Sequence, residues 1–203
     1  MRQKNYMTAL IAITGGIGSG KSTFSNEVKK RKLKILDSDL QVDTLYKKPK
    51  KSFLNYLKKI GLGDAIKNNK INKKQIGNII FSNKKIKTSL EKYIFKQVRK
   101  KRAEFIKKEI KKKTKVVFLD IPLLFENNLN KDFDMVISII SKKKERLKRL
   151  KKTKKITKSY FDKITAMQTT DVERKKNSDI IIFNNTTMKS YIIKINNVLN
   201  KIV

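Results

Sequence analysis

The chain has 203 residues, with 52 Lys and Arg against 17 Asp and Glu, a formal net charge of +35, and neither Cys nor His. Without Cys there is no disulfide framework and no thiolate-bound metal; without His the commonest general base and metal ligand is missing, so proton transfer falls to Asp, Glu, Lys or Tyr. The length suits one α/β domain carrying an inserted or appended lobe.

Met1 to Tyr6 is short and polar and does not read as a secretory signal; Met7 stands just before the first strand and is a second candidate start. No run of about 18 apolar residues occurs, so no membrane span and a cytoplasmic location are expected. The lysines are spread from end to end with many Asn and Ile, the signature of AT-rich codon usage. A dedicated nucleic-acid binder clusters its charge with Arg and aromatics, so no specific nucleic-acid partner is expected, only weak sticking to polyanions at low salt.

Ala9 to Ile13 is a short apolar run of the length of a buried parallel strand. The stretch Gly15-Gly16-Ile17-Gly18-Ser19-Gly20-Lys21-Ser22-Thr23 follows and satisfies G-x-x-x-x-G-K-[ST], the phosphate-binding P-loop. Lys21 to Arg31 then has no Gly or Pro and reads as a helix, with Phe24 and Val28 on one face. Glycines let backbone N–H groups close around phosphate oxygens, and the helix N-terminus adds partial positive charge there. Gly16, Ile17, Gly18, Ser19, Gly20, Lys21, Ser22 and Thr23 are therefore the candidate nucleotide-binding residues. Lys21 is expected at the β- and γ-phosphates, Ser22 on Mg²⁺ and Thr23 at the α-phosphate.

Leu33 to Leu36 is a second strand candidate, closed by Asp37-Ser38-Asp39. Ligands of open α/β sheets bind at such strand ends, and the same carboxylates can cap the next helix; the two roles are compatible. From Leu45 to about Lys115 no strong strand is predicted. Apolar residues recur at helical spacing there, in Phe53, Leu54, Leu57 and Ile60, in Ile76, Ile79 and Ile80, and in Leu90, Ile94 and Val98. Val116 to Asp120 is four apolar residues ended by an Asp, the pattern of the acidic strand that helps hold Mg²⁺ in P-loop proteins. Pro122-Leu123-Leu124-Phe125-Glu126 follows, with Glu126 in the loop where substrate should lie. Met135 to Ile140 and Asp179 to Phe183 are further strands, the latter running into Asn184-Asn185, and Met188 to Val203 is a closing amphipathic helix. Between those two strands, residues 142–174 are basic and helical in pattern. Arg146 and Arg149 share a face there; such an Arg-bearing hairpin can close over phosphates, while in so lysine-rich a chain a solvated helix is the ordinary alternative.

These residues resemble the dephospho-CoA kinase family. The resemblance rests on Thr14 to Thr23, Leu36-Asp37-Ser38-Asp39, Pro122 to Glu126, Gln168, Ser178-Asp179 and Asn184-Asn185, and it runs over nearly the whole chain. It implies a three-layer P-loop α/β fold with a parallel five-stranded sheet: a core of residues 7–44, 115–141 and 175–203, a helical CoA-binding insert at 45–114 and a lid at 142–174. It implies transfer of the ATP γ-phosphate to the ribose 3′-hydroxyl of dephospho-CoA, with ATP and Mg²⁺, by a monomer or small homo-oligomer. Lys21, Asp39 and Arg149 take the catalytic roles under the resemblance, Asp39 as the carboxylate on the acceptor hydroxyl. Asp39, Leu124 and Glu126 take the substrate, Asn184 and Asn185 fall near the adenine, and Ser22 and Asp120 serve the metal, Asp120 indirectly. The chain departs from the family at Phe95-Lys96, where a His-Pro is usual, at Asp43, where a His is usual, and at Thr153-Lys154, where a second lid Arg and an Asp are usual. Other readings of the motif are a different small-molecule or nucleoside kinase and a basic P-loop ATPase that binds nucleic acid.

Overall fold

The computed structural model describes residues 8–154 and 156–203, with all their side chains except that of Lys154. The choice between Met1 and Met7 and the charge that Lys154 brings to the lid segment lie outside the described residues.

Two compact units are present, one formed by the chain up to Asp37 with Lys107–Val203, the other by Ser38–Ile106. The first is an α/β layer structure. Its strands are β1 (Ala9–Thr14), β2 (Lys34–Asp37), β5 (Val116–Asp120), β6 (Met135–Ile140) and β7 (Ile180–Phe183). They form one parallel sheet in the order β2-β5-β1-β6-β7. The central strands are buried on both faces, which is why β1, β5 and β6 read as continuous apolar runs and not as alternating ones. Helix α1 (Lys21–Lys30) lays Phe24 and Val28 against Ile11, Ile13, Phe118, Ile137 and Ile139. Helix α9 (Met188–Ile202) adds Tyr191, Ile195 and Leu199 to the same core. Between β6 and β7 run α6 (Lys143–Lys154), α7 (Lys158–Ala166) and α8 (Asp171–Lys176). Thr157 caps α7, and Thr170 with Glu173 forms a full capping box at α8.

The second unit has α2 (Ser38–Lys47), α3 (Lys51–Lys59), α4 (Lys73–Ser82) and the greater part of α5 (Lys84–Lys111). Phe53, Leu57, Leu62, Ala65, Ile76 and Leu90 are its core. Tyr93 stacks between Phe53, at 5.3 Å, and Tyr56, at 4.1 Å between centroids. The structure adds one element that the reading of this region did not include. A small antiparallel hairpin, β3 (Ile66–Lys67) and β4 (Lys70–Ile71), lies within it. Asn68 and Asn69 both have positive φ, 48° and 59°, as the tight turns that match strand twist require, and Asn tolerates that region best after Gly. Strands of two residues are too short to show alternation.

Among the described residues no helix is long and apolar enough to cross a membrane.

Candidate active site

All five parallel strands of the sheet end on one side, where open α/β sheets bind ligands. The β1 end delivers the glycine loop, the β2 end Asp37, the β5 end Asp120, and the β7 end Asn184. Asp37 and Asp120 are level with each other in the β2–β5 register, and Ile13 is level with Asp120 on the other side.

The loop is shaped by what surrounds it. Gly18 (φ 74°) and Gly20 (φ 109°) hold backbone conformations that side chains rarely adopt. A Cβ on Gly18 would stand 2.9 Å from Leu150, and one on Gly20 would strike the Asn184 amide and stand 3.1 Å from the Tyr191 ring. Gly16 is confined differently: its Cβ would collide with Arg146 Nη1. The Lys21 ammonium curls back and donates to the Gly15 carbonyl at 2.8 Å. The Ile17 N–H donates to Gln168 Oε1 at 2.9 Å. A loop donor and its lysine are thus both turned inward, held by groups that a phosphate can displace.

A second ring of contacts fixes the loop from behind. The Asn184 side-chain N–H donates to the Ser19 carbonyl at 2.8 Å. Arg149 donates to the Gly18 carbonyl, Ser141 Oγ, and both the carbonyl and Oδ1 of Asn184. Asn185 Oδ1 accepts from the Lys142 N–H at 2.8 Å, and Tyr191 donates to the Gly20 carbonyl at 3.0 Å. Burial pushes the Tyr191 phenol well above its ordinary pKa; Arg149 opposes and Asp120 reinforces that shift.

Ser22 is exposed in the first turn of α1, and Ser25, three residues on and so on a neighbouring face, donates to Asp120 Oδ2 at 2.7 Å. Asp120 is 5% exposed. Glu126 Oε1 accepts from the Thr169 N–H at 2.7 Å and pairs with Arg174 at 3.4 Å. Leu124 is fully buried. Asp39, in the second unit, is exposed in the first turn of α2, two residues beyond the end of β2. There its charge is favoured by the helix dipole.

Arg146 and Arg149 both reach the phosphate loop from α6, Arg146 at Gly16 and Arg149 at Gly18. Arg146 is 4% exposed, with its Cζ 5.7 Å from the centre of the Phe161 ring. Burial lowers its pKa from the ordinary Arg value; Asp171 opposes the shift and Arg174 reinforces it. Arg174 is as deeply buried and holds Glu126 and Asp171. Sequence reading passed over Arg174, Ser25 and Tyr191 as site residues. Their only signal is a polar group at a position whose helical neighbours are core, as Tyr191 is with Ile195 and Leu199.

The departures from the family pattern are accommodated locally. Thr153 Oγ1 donates back to the Arg149 carbonyl, Asp43 pairs with Lys73, and Phe95 is partly exposed on α5.

A P-loop at the C-terminal ends of a parallel five-stranded sheet, with a helical segment carrying two arginines onto the loop, defines a P-loop kinase. The chain belongs to the dephospho-CoA kinase family, whose profile matches residues 9–190. The dephospho-CoA kinase of Fusobacterium nucleatum is 32% identical over 92% of this chain and 94% of its own length. That of Oceanobacillus iheyensis is 30% identical over 96% and 98%. Among solved structures, dephospho-CoA kinase from Campylobacter jejuni superposes with a TM-score of 0.72 at 27% identity, covering 97% of this chain and 98% of that one. A shikimate kinase from Acinetobacter baumannii shares the fold, at TM-score 0.52 and 14% identity.

Proposed function

We propose that the chain transfers the γ-phosphate of ATP to the ribose 3′-hydroxyl of dephospho-CoA, giving CoA and ADP, the last step of CoA synthesis. The observation that carries this reading is the extent of the family match. It takes in the phosphate loop, Asp39, Pro122 to Glu126 and Gln168 together, with nearly the whole length of the named relatives.

Phosphoryl transfer asks mainly for positioning and charge stabilisation. In this reading the backbone N–H groups from Gly16 to Thr23 enclose the phosphates. Gln168 releases the Ile17 N–H, and Lys21 leaves the Gly15 carbonyl for the outer phosphates. Arg149, Asn184 and Asn185 hold the loop on the adenine side. Asp39 accepts the proton of, or orients, the acceptor hydroxyl, the role no His is present to take. Glu126 and Leu124 shape the loop at the acceptor side, Glu126 through Thr169 and Arg174. The oxygen donors present suit Mg²⁺, which takes oxygen ligands and retains several waters. The Ser22 hydroxyl would hold it directly and Asp120, already bonded to Ser25, through water. Once bound, the ion neutralises charge on the phosphate oxygens. The enzyme would act in the cytoplasm as a monomer or small homo-oligomer, with residues 45–114 as the substrate lobe and 142–174 as the lid.

The test is a coupled assay of ADP release with ATP, Mg²⁺ and dephospho-CoA, wild type beside Asp39→Asn. Turnover should require dephospho-CoA and fall about 10²–10⁴-fold in the variant, with ATP affinity kept. Turnover with a nucleoside instead, or only with DNA or RNA present, would replace this reading by one of its rivals.

A further inference from the structure

We propose that Arg146 is a built-in phosphate-contacting residue of the loop, a guanidinium placed before substrate arrives to take the terminal phosphate of the bound nucleotide. The inference rests on the kinase reading above and adds a residue to its site.

Arg146 is 4% exposed, yet its guanidinium makes no ion pair and no hydrogen bond to any described residue. Its Nε is wholly buried and without a partner among them. Arg174 next to it shows the usual solution for so buried a cation, with Glu126 at 3.4 Å and Asp171 at 3.1 Å. Asp171 acts on Arg146 but its carboxylate is paired with Arg174. A buried charge with no direct partner is costly, and an arriving anion removes the cost. The anion expected here is fixed by what Arg146 touches: a Cβ on Gly16 would collide with Nη1 and come within 3.2 Å of Cζ. Gly16 belongs to the outer end of the loop. Lys21, the residue that meets the β- and γ-phosphates in loops of this type, has its ammonium on the carbonyl of the adjacent Gly15. The Phe161 ring steadies the guanidinium without satisfying its hydrogen-bond donors. Its planar fork can grip two phosphate oxygens at once, which a lysine cannot do.

The test is titration calorimetry of ADP and of a non-cleavable β,γ-imido ATP analogue on wild type, Arg146→Met and Arg146→Lys at one salt concentration. Dephospho-CoA-dependent ADP release is measured in parallel. Loss of a charge-assisted contact to the terminal phosphate should weaken the ATP analogue about tenfold or more in Arg146→Met while ADP changes less than about threefold, with Arg146→Lys between. Equal weakening of both nucleotides would make Arg146 a prop for α6 and overturn the proposal, as would no weakening of either. If the variants do not fold, the assigned Nε–H resonance of Arg146 in the ¹⁵N-labelled wild type carries the test. It should shift with the ATP analogue and stay in place with ADP; no shift with the analogue would refute the contact. Wild type that never responds to dephospho-CoA defeats the kinase reading, whereas active wild type with an unchanged ATP-to-ADP ratio in Arg146→Met defeats only this proposal.

Discussion

The Tyr191 hydroxyl donates to the Gly20 carbonyl at 3.0 Å, joining the closing helix to the N-cap of α1, 171 positions away in the chain. The same carbonyl receives the Thr23 and Phe24 N–H groups, so the first turn of α1 and the last helix share one acceptor. Tyr191→Phe keeps the ring in the core and removes only this bond. It should cost about 1 kcal/mol and lower Tm by a few degrees. Thermal melting checks it, and an unchanged Tm would show that the bond contributes nothing.

The same residue predicts a pH dependence. Burial, the main cause, holds the folded-state pKa of Tyr191 above the ordinary tyrosine value of about 10. A raised folded value means stability that is fully present below the unfolded value and lost as pH climbs toward the folded one. The wild type's advantage over Tyr191→Phe should therefore be flat to about pH 9 and shrink above about pH 10. Melting curves of the two proteins from pH 7 to 11 test this, and a gap that stays constant to pH 11 contradicts it.

Gly16 and Gly20 should respond differently to alanine. At Gly16 the obstacle is the end of a flexible side chain, Arg146, and the backbone is not in the left-handed region. Gly16→Ala should fold with Tm within a few degrees of wild type and lose nucleotide affinity as the guanidinium is pushed aside. At Gly20 a Cβ meets the Tyr191 ring and Asn184 at φ 109°, which costs about 1–3 kcal/mol in strain alone. Gly20→Ala should lose both stability and binding. Paired melting and nucleotide titration separate the two cases.

Asn184 is buried, and its side-chain N–H satisfies the Ser19 carbonyl inside the loop. Asn184→Ala leaves that acceptor without its donor, at about 1–3 kcal/mol, and loosens the loop it holds. The expected result is a lower Tm with weaker ATP binding, partly restored by saturating ATP because ligand binding stabilises the folded state. A variant with wild-type affinity would show that Asn184 is not needed to shape the nucleotide seat.

Ser25→Ala tests the support of the β5 carboxylate. Ser25 Oγ donates to Asp120 Oδ2 at 2.7 Å in a buried setting, so its removal should cost about 1–3 kcal/mol. If Asp120 serves Mg²⁺ through water, the variant should also need more Mg²⁺ for half-maximal turnover. A lower Tm with an unshifted Mg²⁺ requirement would confine the bond to a structural role.

What could be read from the sequence alone was whatever is local. The phosphate loop is nine consecutive residues that follow an apolar strand and run into a helix, and the central strands β1, β5 and β6 are nearly continuous apolar runs because both their faces are covered. Asp37, Asp120 and Asn184 stand where such runs stop, which in a parallel sheet means one side of the molecule. The order of the core strands followed from these patterns, and the five-stranded P-loop fold from the family resemblance that their motifs carry. The β3–β4 hairpin did not, because two-residue strands joined by Asn68-Asn69 have no period to detect. Tertiary structure alone decided which polar groups meet. Ile17 and Gln168 are 151 positions apart, Ser25 and Asp120 are 95 apart, and no spacing along a chain encodes such pairs. It also decided the standing of Arg146. In a helix of sequence Lys-Lys-Glu-Arg-Leu-Lys-Arg it reads as one more solvated cation, and only the packing of α6 against Gly16 and Phe161 takes it out of water. Charge is written in the sequence, but burial, which determines what a charge is worth, is a property of the folded chain.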